Sequence, residues 1–224
     1  MAVLADLADL VLPRRCLGCG DPHRVLCANC VPTGAARCGP DGTWSAAPYD
    51  GVVRAALLAY KERGRRDLAQ PLAQLLARSV AASRLDNDPA QGRVVLVPVP
   101  SARSVAAARG GDHVARLARR AGRLTGLRTA AGVLTPTRRI RDSAGLGIAE
   151  REQNLAGAIA ARPGPDGLAA LVVDDIVTTG ATLRACVAAL AAAGWPVAGA
   201  AVVAATARRA PGASEPLAEH RQPV

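Results

Sequence analysis

Residues 168–182 read LAALVVDDIVTTGAT, an apolar run that meets two carboxylates and then a cluster of small hydroxyl residues. No other stretch constrains the fold as strongly. The apolar run suits a strand buried on both faces, and TLRACVAALAAAG (182–194) behind it has helical spacing up to a stop at Gly194. RVVLVPVP (93–100) and PVAGAAVVAAT (196–206) read as further strands, and VLTP opens another before a long polar loop. Between them lie helical patterns. Tyr49 to Arg63 aligns Val52, Val53, Ala56, Leu57 and Tyr60. After Asp67, an expected N-cap, comes the stripe Leu68, Leu72, Leu75, Leu76 and Val80. The helix after RGGDHV is expected to turn Val114, Leu117, Ala121 and Leu124 inward. Alternating strands and helices imply an α/β fold, a parallel sheet covered on both faces. Ligands of such sheets sit beyond the carboxyl ends of the strands, where Asp174 and Asp175 fall.

The loop after the acids has its own chemistry. Backbone N–H groups at a helix N-terminus favour anions, and Gly180 allows close approach while Thr178, Thr179 and Thr182 add hydroxyl donors. No lysine follows, so this is not a Walker loop, and no GxGxxG dinucleotide fingerprint is present. Carboxylates repel phosphate but accept hydrogen bonds from hydroxyls and hold Mg²⁺ through water. A ligand with a phosphate at one end and a diol at the other satisfies both halves, as ribose 5-phosphate would.

CLGCGDPHRVLCANC places Cys16 and Cys19, then Cys27 and Cys30, as two C-x2-C pairs. Four thiolates at this spacing suit a tetrahedral structural Zn²⁺; thiol couples or disulfides are the alternative. Cys38 stands outside both pairs, Cys186 lies on an inward helical stripe, and His23 reads as a loop residue. Residues 1–45 are expected to form a helix and a metal-stapled module, 46–208 the main domain, and 209–224 a disordered tail. The opening MAVLADLADLVLP carries Asp6 and Asp9 without a basic flank and reads as a packing helix, not a signal peptide. With no apolar run long enough for a membrane helix, no membrane insertion and a cytoplasmic location are expected.

The formal charge is +10, and between Arg103 and Arg151 eleven arginines face three acids. That excess suits phosphates, pyrophosphate or nucleic acid, or simply a solvated surface. Aromatic residues that could stack on single strands are few: Trp44, Tyr49, Tyr60 and Trp195.

ALVVDDIVTTGAT (170–182) resembles the phosphoribosyl-pyrophosphate motif of type I phosphoribosyltransferases. With the cysteine pairs, the chain resembles the ComF family, which is associated with DNA uptake in competent bacteria. Tyr49, Gly51, Arg54 and Lys61 match one of its segments, VPVP (97–100) another, and Arg151 with Asn154 a third. The chain departs from it at Gly111, Asp112 and His113, where the family has Phe-Asn-Gln, and at Ser143. The resemblance implies a type I phosphoribosyltransferase-like sheet with flanking helices, plus a small N-terminal zinc-stapled module. It implies phosphoribosyl pyrophosphate with Mg²⁺ as ligand, and single-stranded DNA or DNA-uptake proteins as partners. It also implies a nitrogenous acceptor if the protein turns over. Asp174 and Asp175 would then be the catalytic acids. Pro98, Val99, Pro100 and Ser101 would hold pyrophosphate, and Val177, Thr178, Thr179, Gly180, Ala181 and Thr182 the 5′-phosphate. The segment 136–150, with Arg138, Arg139 and Arg141, reads as a lid or a solvated loop. His113 reads as a helix-start polar residue or a general base.

Overall fold

The computed structural model describes residues 15–22, 24–85, 93–101, 111–137 and 157–206. His23, Arg138, Arg139, Arg141, Ser143, Arg151, Asn154 and the segments 1–14 and 209–224 lie outside them. Five strands form the central sheet in the order β1 (Arg37–Cys38), β2 (Thr43–Pro48), β7 (Val197–Ala205), β6 (Leu168–Val177), β3 (Arg93–Pro98). All neighbours run parallel except β1, a short antiparallel edge. A separate hairpin pairs β4 (Leu134–Pro136) with β5 (Ile159–Ala161). The sheet is therefore α/β and mostly parallel, as the sequence pattern predicts.

Strand alternation divides the core. Leu171, Val173, Ala201 and Val203 pack with α1 (Gly51–Glu62), α2 (Ala69–Leu85) and α3 (His113–Thr125). Ala170, Val172 and Val202 pack with α4 (Ala181–Ala192), the β4–β5 hairpin and Trp195. Without phenylalanine, both layers are filled by Leu, Val and Ala, and Leu57, Leu72, Leu75, Leu76, Leu117 and Leu171 are fully enclosed.

Two local expectations are corrected. Asp67 does not cap α2. It lies in a single 3₁₀ turn (Arg66–Leu68), and its carboxylate pairs with Arg65 at 2.8 Å. Leu124 is 50% exposed, because the buried stripe of α3 runs through Ala118 and Gly122 instead. The chain doubles back beneath Gly122, where a Cβ would stand 2.6 Å from the Leu127 carbonyl oxygen. β2 hydrogen-bonds to β7 across its length. Cys16 and Cys27 belong to the same buried cluster as Leu57 and Leu72, so the cysteine segment packs onto the main core.

Candidate functional site

β3 and β6 run side by side and end together. Pro98 is opposite Val173, and the Val99 N–H donates to the Val173 carbonyl at 2.9 Å. Beyond that point lies a cleft of about 380 Å³. Val99, Pro100 and Ser101 line one side, Asp174 and Asp175 the floor, and Thr178 and Thr182 the other side. Tyr49, Lys61 and His113 complete it from elements the motif does not include. Pro98, Val177, Thr179, Gly180 and Ala181 support this wall without lining it. Pro98 and Val177 end their strands, and the Thr179 hydroxyl accepts from the Ala181 N–H at 3.4 Å.

Gly180 is the N-cap of α4 with φ 76°, a left-handed conformation that disfavours side chains. A Cβ there would meet Arg184 Nη1 and Asp41 Oδ2, each at 3.1 Å. Arg184 also donates to the Thr179 carbonyl at 2.9 Å, so the loop is held between α4 and the β1–β2 turn. The first N–H groups of a helix have no intrahelical acceptor, which leaves this end of α4 suited to an anion. Asp41 carries no motif of its own, and only the fold brings it here.

The two acids differ sharply. Asp175 continues the Leu171–Val173 row toward α1–α3 and is 3% exposed. Its Oδ2 receives Lys61 Nζ at 3.4 Å and His113 Nε2 at 3.1 Å. Burial opposes its ionisation, but the His113 hydrogen bond and the Lys61 charge outweigh burial and hold it below the usual carboxylate range. Asp174 faces the α4 side and is half-buried; its Oδ1 accepts from the Asp175 N–H at 2.8 Å. Burial, reinforced by the Asp175 charge, pushes its carboxyl well above the usual range. The two neighbouring carboxyls are therefore shifted in opposite directions, Asp174 up and Asp175 down.

His113 opens α3 but is not its cap. Asp112 is the N-cap of α3, accepting from the Ala115 N–H at 3.0 Å, and His113 is 5% exposed. Asp112 also receives the Ser101 hydroxyl at 3.4 Å, which ties the loop after β3 to the start of α3.

The cysteine cluster lies apart from this cleft. One ligand atom from each of Cys16, Cys19, Cys27 and Cys30 lies within 4.8 Å of the others, and the Cys19 and Cys27 sulfurs are 3.6 Å apart. Sulfurs about 2.3 Å from a tetrahedral ion stand about 3.8 Å from one another, so the cluster could hold a zinc ion. Its electrostatics agree. Burial disfavours a Cys16 thiolate, but N–H groups of Cys19, Cys27 and Gly18 outweigh it and bring this thiol down to about 6. Cys30 is pushed up to about 12 by the neighbouring Cys27 and Cys19.

A family model described as the phosphoribosyl transferase domain matches residues 68–216. That span takes in the loop after β3, the acid pair and the Thr178–Thr182 loop. No curated protein matches the chain significantly. Among the described residues, no helix is long and apolar enough to cross a membrane.

Proposed function

The chain belongs to the phosphoribosyl transferase family, and on that premise we propose that its cleft binds phosphoribosyl pyrophosphate with Mg²⁺. One observation carries the reading: Ser101, the acid pair, Thr178 and Thr182 converge on a single cleft at the carboxyl ends of β3 and β6. The 5′-phosphate occupies the Thr178–Thr182 loop, against the first turn of α4. Asp174 and Asp175 accept hydrogen bonds from the ribose hydroxyls, and Val99, Pro100 and Ser101 face the pyrophosphate. Most donors in the cleft are oxygens, the chemistry Mg²⁺ requires, with Asp174 placed to hold one of its waters. Bound with the ligand, Mg²⁺ neutralises pyrophosphate charge.

The chemistry is transfer of the phosphoribosyl group to a nitrogen nucleophile. A C–N bond forms at the anomeric carbon as the C–O bond to pyrophosphate breaks, and the leaving group takes the electron pair. Residues of such a site act by positioning and by stabilising separated charge. Zn²⁺ in the cysteine cluster is structural, fixing residues 16–30 against α1.

The test is calorimetry with phosphoribosyl pyrophosphate and Mg²⁺, followed by a pyrophosphate-release assay over a panel of nitrogenous bases and amines. Binding to the wild type that is lost in Thr182→Val supports the reading; no binding at millimolar ligand overturns it. The competence link implied by the ComF resemblance remains a second reading. It rests on Arg119 and Arg123, exposed on α3, which would meet nucleic-acid phosphates.

A further inference from the structure

His113 and Asp175 are 62 residues apart in the chain and 3.1 Å apart in the fold, at the floor of the cleft. The imidazole is held in several ways. Tyr60 on α1 donates its hydroxyl to the His113 carbonyl at 3.1 Å, and the two rings meet edge to face with centroids 6.4 Å apart. The other ring nitrogen, Nδ1, is buried and has no hydrogen-bond partner among the described residues.

That orphan nitrogen selects the protonation state. An imidazolium carries a proton on both nitrogens and would bury an unpaired N–H donor at Nδ1. A neutral ring protonated at Nδ1 would bury the same donor and present a lone pair to the Asp175 carboxylate. Only the neutral ring protonated at Nε2 gives Asp175 a donor and leaves at Nδ1 nothing but an acceptor. The surrounding charges permit it. Lys61 on α1 already supplies a cation to Asp175 on β6. On α3, Asp112 is committed to the Ala115 N–H and Ser101, and Arg116 lies toward Tyr60.

We propose that His113 is a positioning residue, a neutral imidazole that donates through Nε2–H and, with Lys61, fixes the Asp175 carboxylate at the ribose end of the cleft. Both donors meet Oδ2. Pinned from two sides, the carboxylate cannot rotate, and its second oxygen keeps one position for a hydroxyl. Because Nδ1 is closed to the cleft, His113 does not act as the base for an incoming nucleophile. The role rests on the sugar-phosphate reading of the cleft, whereas the tautomer does not.

Two measurements on the full chain test this. In long-range ¹H–¹⁵N spectra, with the His113 signals assigned by their loss in His113→Gln, the ring should show the neutral Nε2–H pattern at pH 7. Asp175→Asn should shift it. An imidazolium or Nδ1–H pattern at pH 7 overturns the proposal. In calorimetry, His113→Leu should weaken ribose 5-phosphate by about tenfold or more, the scale of a hydrogen bond to a charged group. Inorganic phosphate should still bind. His113→Gln, whose amide nitrogen reaches the place of Nε2, should restore ribose 5-phosphate to within about threefold of the wild type. Unchanged binding in His113→Leu, or equal losses in both variants, overturns the positioning role. Should the wild type bind neither phosphate nor ribose 5-phosphate, the sugar-phosphate reading falls and the positioning role falls with it. The spectra still decide the tautomer.

Discussion

Replacing Gly18 with alanine should weaken zinc binding by the cysteine cluster before it costs the sheet its fold. A Cβ at this position would stand 2.6 Å from the Cys30 sulfur, 2.9 Å from Cys30 Cβ and 3.2 Å from Val52 on α1. Ordinary contacts of this kind are about 3.5–4.0 Å, so the Cys30 sulfur must retreat by about 1 Å. Val52 blocks a compensating shift of the new methyl toward α1. Metal–ligand distances tolerate only about 0.2 Å, so the retreat removes the fourth ligand. Losing an outer partner of a ligand already weakens metal binding by about 10–100-fold. Displacing the ligand itself should reach at least the upper end, about 100-fold or 2.7 kcal/mol. Gly18 does not use the left-handed φ that would add backbone strain to the substitution, so the effect is steric.

The assay is competition for zinc against a chromophoric chelator with fully reduced protein, together with thermal melts with and without zinc. Gly34→Ala is the control, since a Cβ there meets nothing within 4 Å. Zinc affinity of Gly18→Ala within threefold of the wild type would refute the argument and show that Cys30 is not held where the cluster needs it.

Asp174→Asn should raise the melting temperature of the ligand-free protein at pH 7. Its raised carboxyl costs stability as pH climbs from the ordinary carboxylate value toward the folded one, so the gain should vanish in acid. Asp175→Asn should do the reverse: the depressed carboxyl contributes stability above the ordinary carboxylate range that is lost as pH falls, so the variant melts lower at pH 7. Melting curves across pH check both, and parallel shifts in the two variants would sink the division between the acids. Gly180→Val should weaken inorganic phosphate by tenfold or more in calorimetry, since a branched side chain disfavours φ 76° and meets Asp41 and Arg184. Wild-type affinity in that variant would remove phosphate from the loop. If Arg119 and Arg123 meet nucleic acid, the affinity of a single-stranded oligonucleotide should fall steeply with salt and weaken in Arg119→Gln with Arg123→Gln. Binding without salt dependence rules that surface out.

What could be read from the chain was whatever repeats at short range. Periodicity shows α1 to α4 and the strands β3, β6 and β7, because an apolar stripe is a local property; β2 and β5 carry no such stripe. The acid pair and the Thr178–Thr182 loop were visible because strand, loop and helix start are contiguous there. The partners of Asp175 were not, since Lys61 and His113 come from different helices and no spacing rule connects them to β6. For the same reason Asp41 gave no sign that it flanks Gly180. Leu124 continues the apolar stripe at i, i+3, whereas the return of the chain under Gly122 draws the buried face toward i, i+4. The place of β2 in the sheet is not legible locally, because its partner, β7, lies more than 150 residues downstream.

The DD dipeptide shows how far such a reading carries. In sequence the acids are equivalent neighbours, and a motif assigns them one role. In a strand, consecutive residues face opposite sides, so the fold places one carboxylate over each layer. The layer of α1–α3 supplies Asp175 with two donors and makes it a fixed anion. On the α4 side Asp174 has no such cation beside it among the described residues, and burial with the Asp175 charge raises its carboxyl. A sugar diol meeting this pair finds one carboxylate locked in direction and a second whose charge depends on what is bound. A cation arriving with the ligand would favour ionisation of Asp174 just when the site fills, and proton release on binding should appear as a buffer-dependent enthalpy. Binding heat that is the same in buffers of different ionisation enthalpy would show that Asp174 keeps its proton state when the ligand arrives.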